Sequence, residues 1–368
     1  MPPADKKDYS CHASVKIKSY RPDFILDDYQ MASTTSIVEI NDLKLLFGEV
    51  QVLSGVSLQV NRGETLGIVG ESGCGKSVTW LAALGLLPGK ARISGSVKVG
   101  GAELLGASHK VLEGIRGKKI AMIFQDPSSS LNPVMRIGRQ IEEALRLHRG
   151  LQGQVARAEA RRLLDMVGMP DSARRLNAYP YELSGGQNQR AMIAMALAGQ
   201  PDLLIADEPT TALDATIQAQ ILDLLDQLRR ETGMGLVLIS HDLGAISSIC
   251  ERVAVMYCGR IVEEGTAARL FHNPLHPYSY GLMSAIPSMQ GPRKRLLAIP
   301  GSVPDPGRLP KGCSFAPRCA SALADCAQLT PSLATVLEPG LSGSRRLSCF
   351  YPRIAQPITV EHSFDRVA

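Results

Sequence analysis

The segment Gly70-Glu71-Ser72-Gly73-Cys74-Gly75-Lys76-Ser77 follows the apolar run Thr65–Val69 and precedes the helix-forming run Val78–Leu87. A strand feeding a glycine loop and then a helix start commits the chain to an α/β layer with a ligand at the strand end. Glycines let the backbone turn with positive φ and bring successive N–H groups, with the positive end of the helix, against phosphates. Lys76 is then placed to reach β- and γ-phosphates, and Ser77 to ligate Mg²⁺. A glycine-rich turn with a coincidental Gly-Lys-Ser is the competing reading of this segment taken alone.

Leu203-Leu204-Ile205-Ala206-Asp207-Glu208 supplies a second element of the same chemistry, an acidic pair at the end of an apolar strand. Asp207 is suited to hold Mg²⁺, directly or through water, and Glu208 to orient and deprotonate an attacking water. Pro209-Thr210-Thr211 also resembles a helix entry that the two acids would cap. Four apolar residues before the pair, downstream of a glycine loop, favour catalysis. Ser184, Gly185 and Gly186 precede the strongly helical Gln187–Ala198, so hydroxyl and N–H groups form a second anion-binding helix start. His241 closes another apolar strand, Leu236–Ile239, and is a weak signal by itself.

At 368 residues the chain has room for one large α/β domain and a small appendix, and each motif occurs once. A net charge of +5 with short basic clusters at Arg116–Lys119, Arg161-Arg162 and Arg293–Arg295 lacks the concentrated stripe that a nucleic-acid partner requires. The apolar run Ala191–Ala198 is far too short to span a membrane, and Met1–Ser36 has no secretion-signal core. A cytoplasmic setting is expected, with any membrane channel belonging to other subunits.

Residues 1–36 read as a disordered tail, with Met31 an alternative start. Ile37–Val60 alternates apolar and polar residues around Phe47-Gly48-Glu49, as an antiparallel sheet does. Gly95–Leu104 is again strand-rich, and Ile120–Phe124 reads as a buried strand that leads to Gln125-Asp126-Pro127, where proline ends the strand and a flexible loop is expected. Residues 128–182 form a helical subdomain, with apolar residues at helical intervals over Ile137–His148 and Gln154–Val167; either it couples to a partner or it is a self-sufficient bundle. Arg252–Met256 and Arg260–Glu263 complete a core spanning residues 37–300. A proline-dense linker then opens a last module, residues 301–368.

Taken together, the glycine loop, Gln125, Leu183-Ser184-Gly185-Gly186-Gln187, Asp207-Glu208 and His241 resemble the ATPases of the ABC family. That resemblance implies a fold with a P-loop α/β core, an antiparallel β-subdomain and an inserted helical subdomain. It implies that Gln125 senses Mg²⁺ and the γ-phosphate, that His241 contacts the γ-phosphate, and that Phe47 stacks on adenine, unless Phe47 is a core strand residue. It further implies that Ser184, Gly185, Gly186 and Gln187 close over ATP held by a second ATPase subunit, with Asp214 linking the two sites. Asn188 departs from the bulkier or basic residue expected there and reads as a surface variation.

Ile123-Phe124-Gln125-Asp126-Pro127, Ser130-Leu131-Asn132-Pro133, Asn273–Tyr278 and Cys313-Ser314-Phe315-Ala316-Pro317-Arg318-Cys319 resemble more narrowly the oligopeptide/dipeptide importer ATPases, over about residues 37–352. This resemblance implies an ATPase at the cytoplasmic face of the inner membrane, two permease subunits, and an external solute-binding protein as an indirect partner. The same subfamily includes nickel importers, so nickel or another small solute is the alternative cargo. A soluble, non-transport ABC ATPase is a more distant alternative, since paired cassettes, a coiled-coil arm and zinc insertions are not visible. The intact Lys76, Asp207, Glu208 and His241 oppose a nonhydrolysing binding module.

Four of the eight cysteines, Cys313, Cys319, Cys326 and Cys349, crowd into the last module at spacings of six, seven and twenty-three. In a cytosolic setting disulfides are disfavoured, and shared metal ligation accounts better for the clustering than four unrelated thiols. The spacing lacks close C-x2-C pairs, which makes zinc the second choice; the resemblance points to a four-iron, four-sulfur cluster.

Overall fold

The computed structural model describes residues 36–285, 298–337, 345–353 and 359–360; the expectations for residues 1–35, including a start at Met31, lie outside them. Alternating residues make Ser36–Phe47 (β1) and Val50–Asn61 (β2) an antiparallel pair that turns at Gly48, with Phe47 opposite Val50. Gly48 adopts a positive φ of 61° there. Thr65–Val69 (β3) is buried at all five positions, as a strand covered on both faces must be.

Lys76–Ala83 (α1) starts earlier and ends sooner than the sequence predicts. Gly75 caps its start in the left-handed region, and Gly85, at φ 63°, closes its end. Ala91–Val99 (β4) and Ala102–Glu103 (β5) join the first pair to give a four-stranded antiparallel sheet of order β2-β1-β4-β5.

His109–Ile115 (α2) leads to Ile120–Ile123 (β6), after which Pro127–Ser130 (α3) forms one helical turn in place of the expected loop. Proline suits this first helical position, and the Ser129 and Ser130 hydroxyls donate to the Asp126 carbonyl. Ile137–Arg149 (α4), Gly153–Met166 (α5), Ser172–Arg175 (α6) and Gly185–Leu197 (α7) follow. Ile141, Leu145, Leu163 and Leu164 belong to the same contiguous apolar cluster as Leu197, Leu204 and Leu236. The helices are therefore docked on the core and are not a bundle with a core of its own.

Leu203–Asp207 (β7), Ala215–Thr232 (α8), Gly235–Ile239 (β8), Leu243–Ile249 (α9) and Arg252–Tyr257 (β9) complete a parallel layer ordered β9-β3-β8-β7-β6. Arg260–Thr266 (β10) turns back antiparallel on β9. Beyond Ala267–His272 (α10), Pro277–Ser284 (α11) and Ala324–Gln328 (α12), the strands Ala334–Leu337 (β11), Arg345–Leu347 (β12) and Thr359–Val360 (β13) extend the same sheet past β10, in the order β13-β11-β12-β10. Arg345 of β12 and Glu263 of β10 form a fully buried ion pair. The Glu263 carboxylate also accepts the N–H groups of Leu275 and His276 at 2.8 and 3.0 Å, which offsets the cost of burying the charge. Among the described residues no helix is long and apolar enough to cross a membrane.

Candidate active site

Four neighbouring parallel strands end at one edge, and each delivers a motif there: Gly70 follows β3, Gln125 lies two residues past β6, Glu208 follows β7, and His241 lies two past β8. Carboxyl ends of a parallel sheet are where such folds bind ligands. Ser72, Gly73, Gly75, Lys76, Ser77, Gln125, Glu208 and His241 line one cleft of about 610 Å³, with Val52, Val78 and Thr211.

The loop geometry requires its glycines. A Cβ on Gly70 would lie 2.3 Å from the Met256 carbonyl oxygen, and Gly73 and Gly75 have φ of 76° and 107°. Lys76 is buried, and its Nζ donates to the carbonyls of Gly70 (2.8 Å) and Glu71 (3.0 Å), arching the loop over the start of α1. The Ser77 hydroxyl donates to Asp207 Oδ1 at 2.8 Å. Burial pushes the Asp207 carboxyl above its ordinary pKa, the Ser77 hydrogen bond opposes this, and the Glu208 charge adds to it. A buried carboxylate beside a serine hydroxyl is an all-oxygen donor pair that fits a hard divalent ion.

Glu208 sits in the left-handed region at φ 47°, an uncommon conformation for a residue with a Cβ. Its Oε2 accepts from Gln125 Nε2 (3.1 Å) and Thr211 Oγ1 (3.0 Å) and lies 3.4 Å from His241 Nδ1. One carboxylate oxygen is thus ringed by three side chains from three strand ends. Phe47 does not line this cleft; half-buried, it packs against the apolar cluster of the four-stranded sheet and α1, as does Val52 of β2, which also lines the cleft. Cys74 turns its side chain inward and is buried.

Ser184, Gly185, Gly186 and Gln187 do not line this cleft. They start α7 with a capping box, in which Ser184 Oγ accepts from the Gln187 N–H (3.4 Å) and Gln187 Oε1 from the Ser184 N–H (3.3 Å). Gly186 has a packing reason as well, since a Cβ would come within 2.8 Å of Ile217 on α8. Asp214 caps α8, accepting from the Thr216 and Ile217 N–H groups at 3.1 and 3.0 Å. With that cap in place, Asp207 and Glu208 do not start a helix. Asn188 is half-buried and donates to the Pro180 carbonyl at 3.0 Å, so it is a packed contact and not the surface variation expected.

Cys313, Cys319, Cys326 and Cys349 all line one small pocket with His276, Phe315 and Tyr351. Burial raises the thiol pKa of Cys313 and Cys319 and pushes Cys349 up to about 12; the neighbouring sulfurs add to each shift. Four soft sulfur donors lining one space are the donor type of a thiolate metal site. Among the described residues, however, no group of three or more His, Cys, Asp or Glu side chains stands as a ready ligand set for a metal ion. Sequence reasoning missed Thr211, Tyr278 and Arg318; the last two touch the glycine loop from residues 207 and 247 positions away, a separation no local pattern reveals.

The ABC transporter family model matches residues 53–211, and that of the oligopeptide/dipeptide transporter C-terminal region matches residues 262–326. A putative peptide import ATP-binding protein of Brucella abortus is 50% identical over 321 residues, 86% of this chain and 95% of that protein. The oligopeptide transport ATP-binding protein OppD of Salmonella typhimurium is 48% identical over 86% of this chain and 94% of its own length. Among solved structures, a dimeric ATP-binding cassette in a post-hydrolysis state with ADP and Pi is 30% identical with a TM-score of 0.56, covering 62% of this chain and 98% of that one. A part of the cbiONQ ABC transporter complex of Clostridium perfringens is 25% identical with a TM-score of 0.57, covering 65% of this chain and 92% of that one. The strand-end cleft and these likenesses agree, and the chain belongs to the ATP-binding subunits of the oligopeptide/dipeptide branch of ABC transporters.

Proposed function

We propose that this chain hydrolyses ATP in the strand-end cleft and so energises the import of di- and oligopeptides through membrane permease subunits. The observation that carries the reading is the convergence of Lys76, Ser77, Gln125, Glu208 and His241 on one cleft. The names of the relatives favour peptides over nickel as cargo.

In this reading the glycine-loop N–H groups and Lys76 hold the β- and γ-phosphates. Ser77, Asp207 and Gln125 would hold Mg²⁺, which supplies charge neutralisation at the phosphates. Glu208 accepts a proton from water as the water oxygen bonds to the γ-phosphorus and the bond to the ADP oxygen breaks. Gln125, Thr211 and His241 keep the Glu208 carboxylate aimed at that water. Ser184, Gly185, Gly186 and Gln187 lie outside the cleft of their own chain, which supports a dimer in which they close over the partner's ATP. The second ATPase is a copy of this chain or a paralogue, and the pair sits at the cytoplasmic face of the inner membrane.

An apolar groove of about 640 Å³ between α4, α7 and the end of β6 supports coupling to the permeases. Leu86, Phe124 and Leu147 are exposed there, and Phe124 directly precedes Gln125, so a short permease helix in the groove would feel the state of the nucleotide. With tagged permease subunits, the wild-type chain should co-purify, whereas Leu147→Glu should be lost from the complex yet still bind ATP. Retention of that variant at wild-type level would remove the groove from the interface.

For the four-thiol pocket the proposal is a four-iron, four-sulfur cluster, zinc being the alternative, that staples the region by cross-linking Cys313, Cys319, Cys326 and Cys349. Anaerobically purified protein should be brown with about four irons per chain, lost in Cys319→Ser. Stoichiometric zinc instead would reassign the metal, and absence of any metal would refute both.

A further inference from the structure

Glu71 is the first variable residue of the glycine loop, yet it is not among the residues that line the cleft. All of its polar groups are engaged. Its N–H donates to Tyr278 Oη at 2.8 Å, its carbonyl accepts from Lys76 Nζ at 3.0 Å, and its carboxylate meets Arg318 through two bonds of 2.6 and 3.0 Å.

The two outer partners are themselves fixed. Tyr278 is fully buried, and its ring lies 4.6 Å from that of Tyr257 and 5.4 Å from that of Phe315. Arg318 has a side chain only 4% exposed, donates through Nε to the Pro300 carbonyl at 2.8 Å, and faces the rings of Tyr257 and Phe315. An exposed ion pair would contribute little, but a bidentate arginine fork locked in a packed aromatic cluster dictates where its carboxylate goes. The same carboxylate belongs to the residue whose carbonyl holds the phosphate-facing lysine.

We propose that Arg318 and Tyr278, both outside the nucleotide motifs, are positioning residues for ATP: through Glu71 they hold the glycine loop and Lys76 in the form that receives phosphate. This rests on the assignment of the cleft to ATP. Gly73 and Gly75 make the loop conformationally free, so binding without an external clamp must supply the ordering entropy. Val303, Pro304 and Pro306 line one small cavity with Gly73 and Val52, so the same C-terminal region lies near the loop on a second side.

A clamp of this kind acts on binding more than on the chemical step, and a staple that merely fastens the C-terminal region would not. The test titrates the purified full-length chain with a fluorescent ATP analogue and measures hydrolysis against ATP concentration. Arg318→Ala and Tyr278→Phe should raise Kd and KM about tenfold, while kcat at saturation changes by less than about twofold. Arg318→Lys, which keeps the charge and loses the fork, should fall between. The double variant Arg318→Ala/Glu71→Ala should bind no more weakly than Arg318→Ala alone, because both remove one interaction.

Folded Arg318→Ala or Tyr278→Phe protein with wild-type Kd would overturn the proposal, as would a fall in kcat at unchanged KM. Should Arg318→Ala not fold, Tyr278→Phe and Arg318→Lys decide by the same criteria. Lys76→Ala separates the two levels: impaired binding there with normal binding in Tyr278→Phe refutes the clamp alone, and wild-type binding in Lys76→Ala refutes the ATP assignment and the clamp with it.

Discussion

Glu208 gathers three side-chain neighbours from the cleft around one oxygen atom. Its left-handed backbone turns the carboxylate back into a ring made by Gln125, Thr211 and His241, while Asp207, one residue earlier, stays buried against Ser77. Two adjacent acids are thereby given different environments, and in the proposed mechanism different work. Glu208→Gln keeps the shape and the hydrogen bonds but cannot take a proton, so turnover should fall by roughly 10²- to 10⁴-fold while ATP affinity holds. Lys76→Ala should do the reverse and weaken binding, since it deletes the charge that faces the phosphates. Steady-state kinetics with a parallel nucleotide titration separates the two, and near-normal hydrolysis by Glu208→Gln would take that residue out of the mechanism.

Among the elements, α4 and α5 are tied by charge as well as by their shared core. Glu159 of α5 accepts two bonds from Arg162 at 2.8 Å and one from Arg149 of α4 at 2.6 Å. The Arg162 hydrogen bonds, then that of Arg149, hold its carboxyl down at about 2 against an ordinary 4.5. A lowered acid contributes stability above its unfolded pKa and loses it as pH falls toward the folded one. Glu159→Gln should therefore melt below wild type at neutral pH, with the gap in Tm narrowing between pH 4.5 and about 2. A gap that is constant across that range would show the ion pair is not what Glu159 contributes.

The helices themselves were legible because amphipathic spacing is a local property, and their ends were less so. Gly75 and Gly85 shorten α1 relative to Val78–Leu87, and Pro127 opens a helical turn where a loop is expected, since both outcomes depend on backbone conformation that apolar spacing does not encode.

At the scale of the whole molecule, the cleft was legible as four motifs because each occupies the end of its own strand, and the parallel order β3-β8-β7-β6 brings those ends together. What spacing could not reveal is the reach of the C-terminal region. Arg318 stands within the Cys313–Cys319 stretch in sequence and against Glu71 in space, and β12 extends the sheet that carries the glycine loop. Phe47 marks a further limit: it and Val52 pack, half-buried, against one apolar cluster, and residue type alone does not say which of them meets a nucleotide.

If hydrolysis in this cleft drives solute across a membrane, uptake of a labelled oligopeptide into proteoliposomes depends on it. The vesicles carry the permease subunits and the second ATPase, with this chain and ATP supplied on the cytoplasmic side and the solute-binding protein on the other. Accumulation should require ATP, fail with a nonhydrolysable analogue, and fall with Glu208→Gln in step with its loss of turnover. Accumulation undiminished by that substitution, or equal without this chain, would contradict the account.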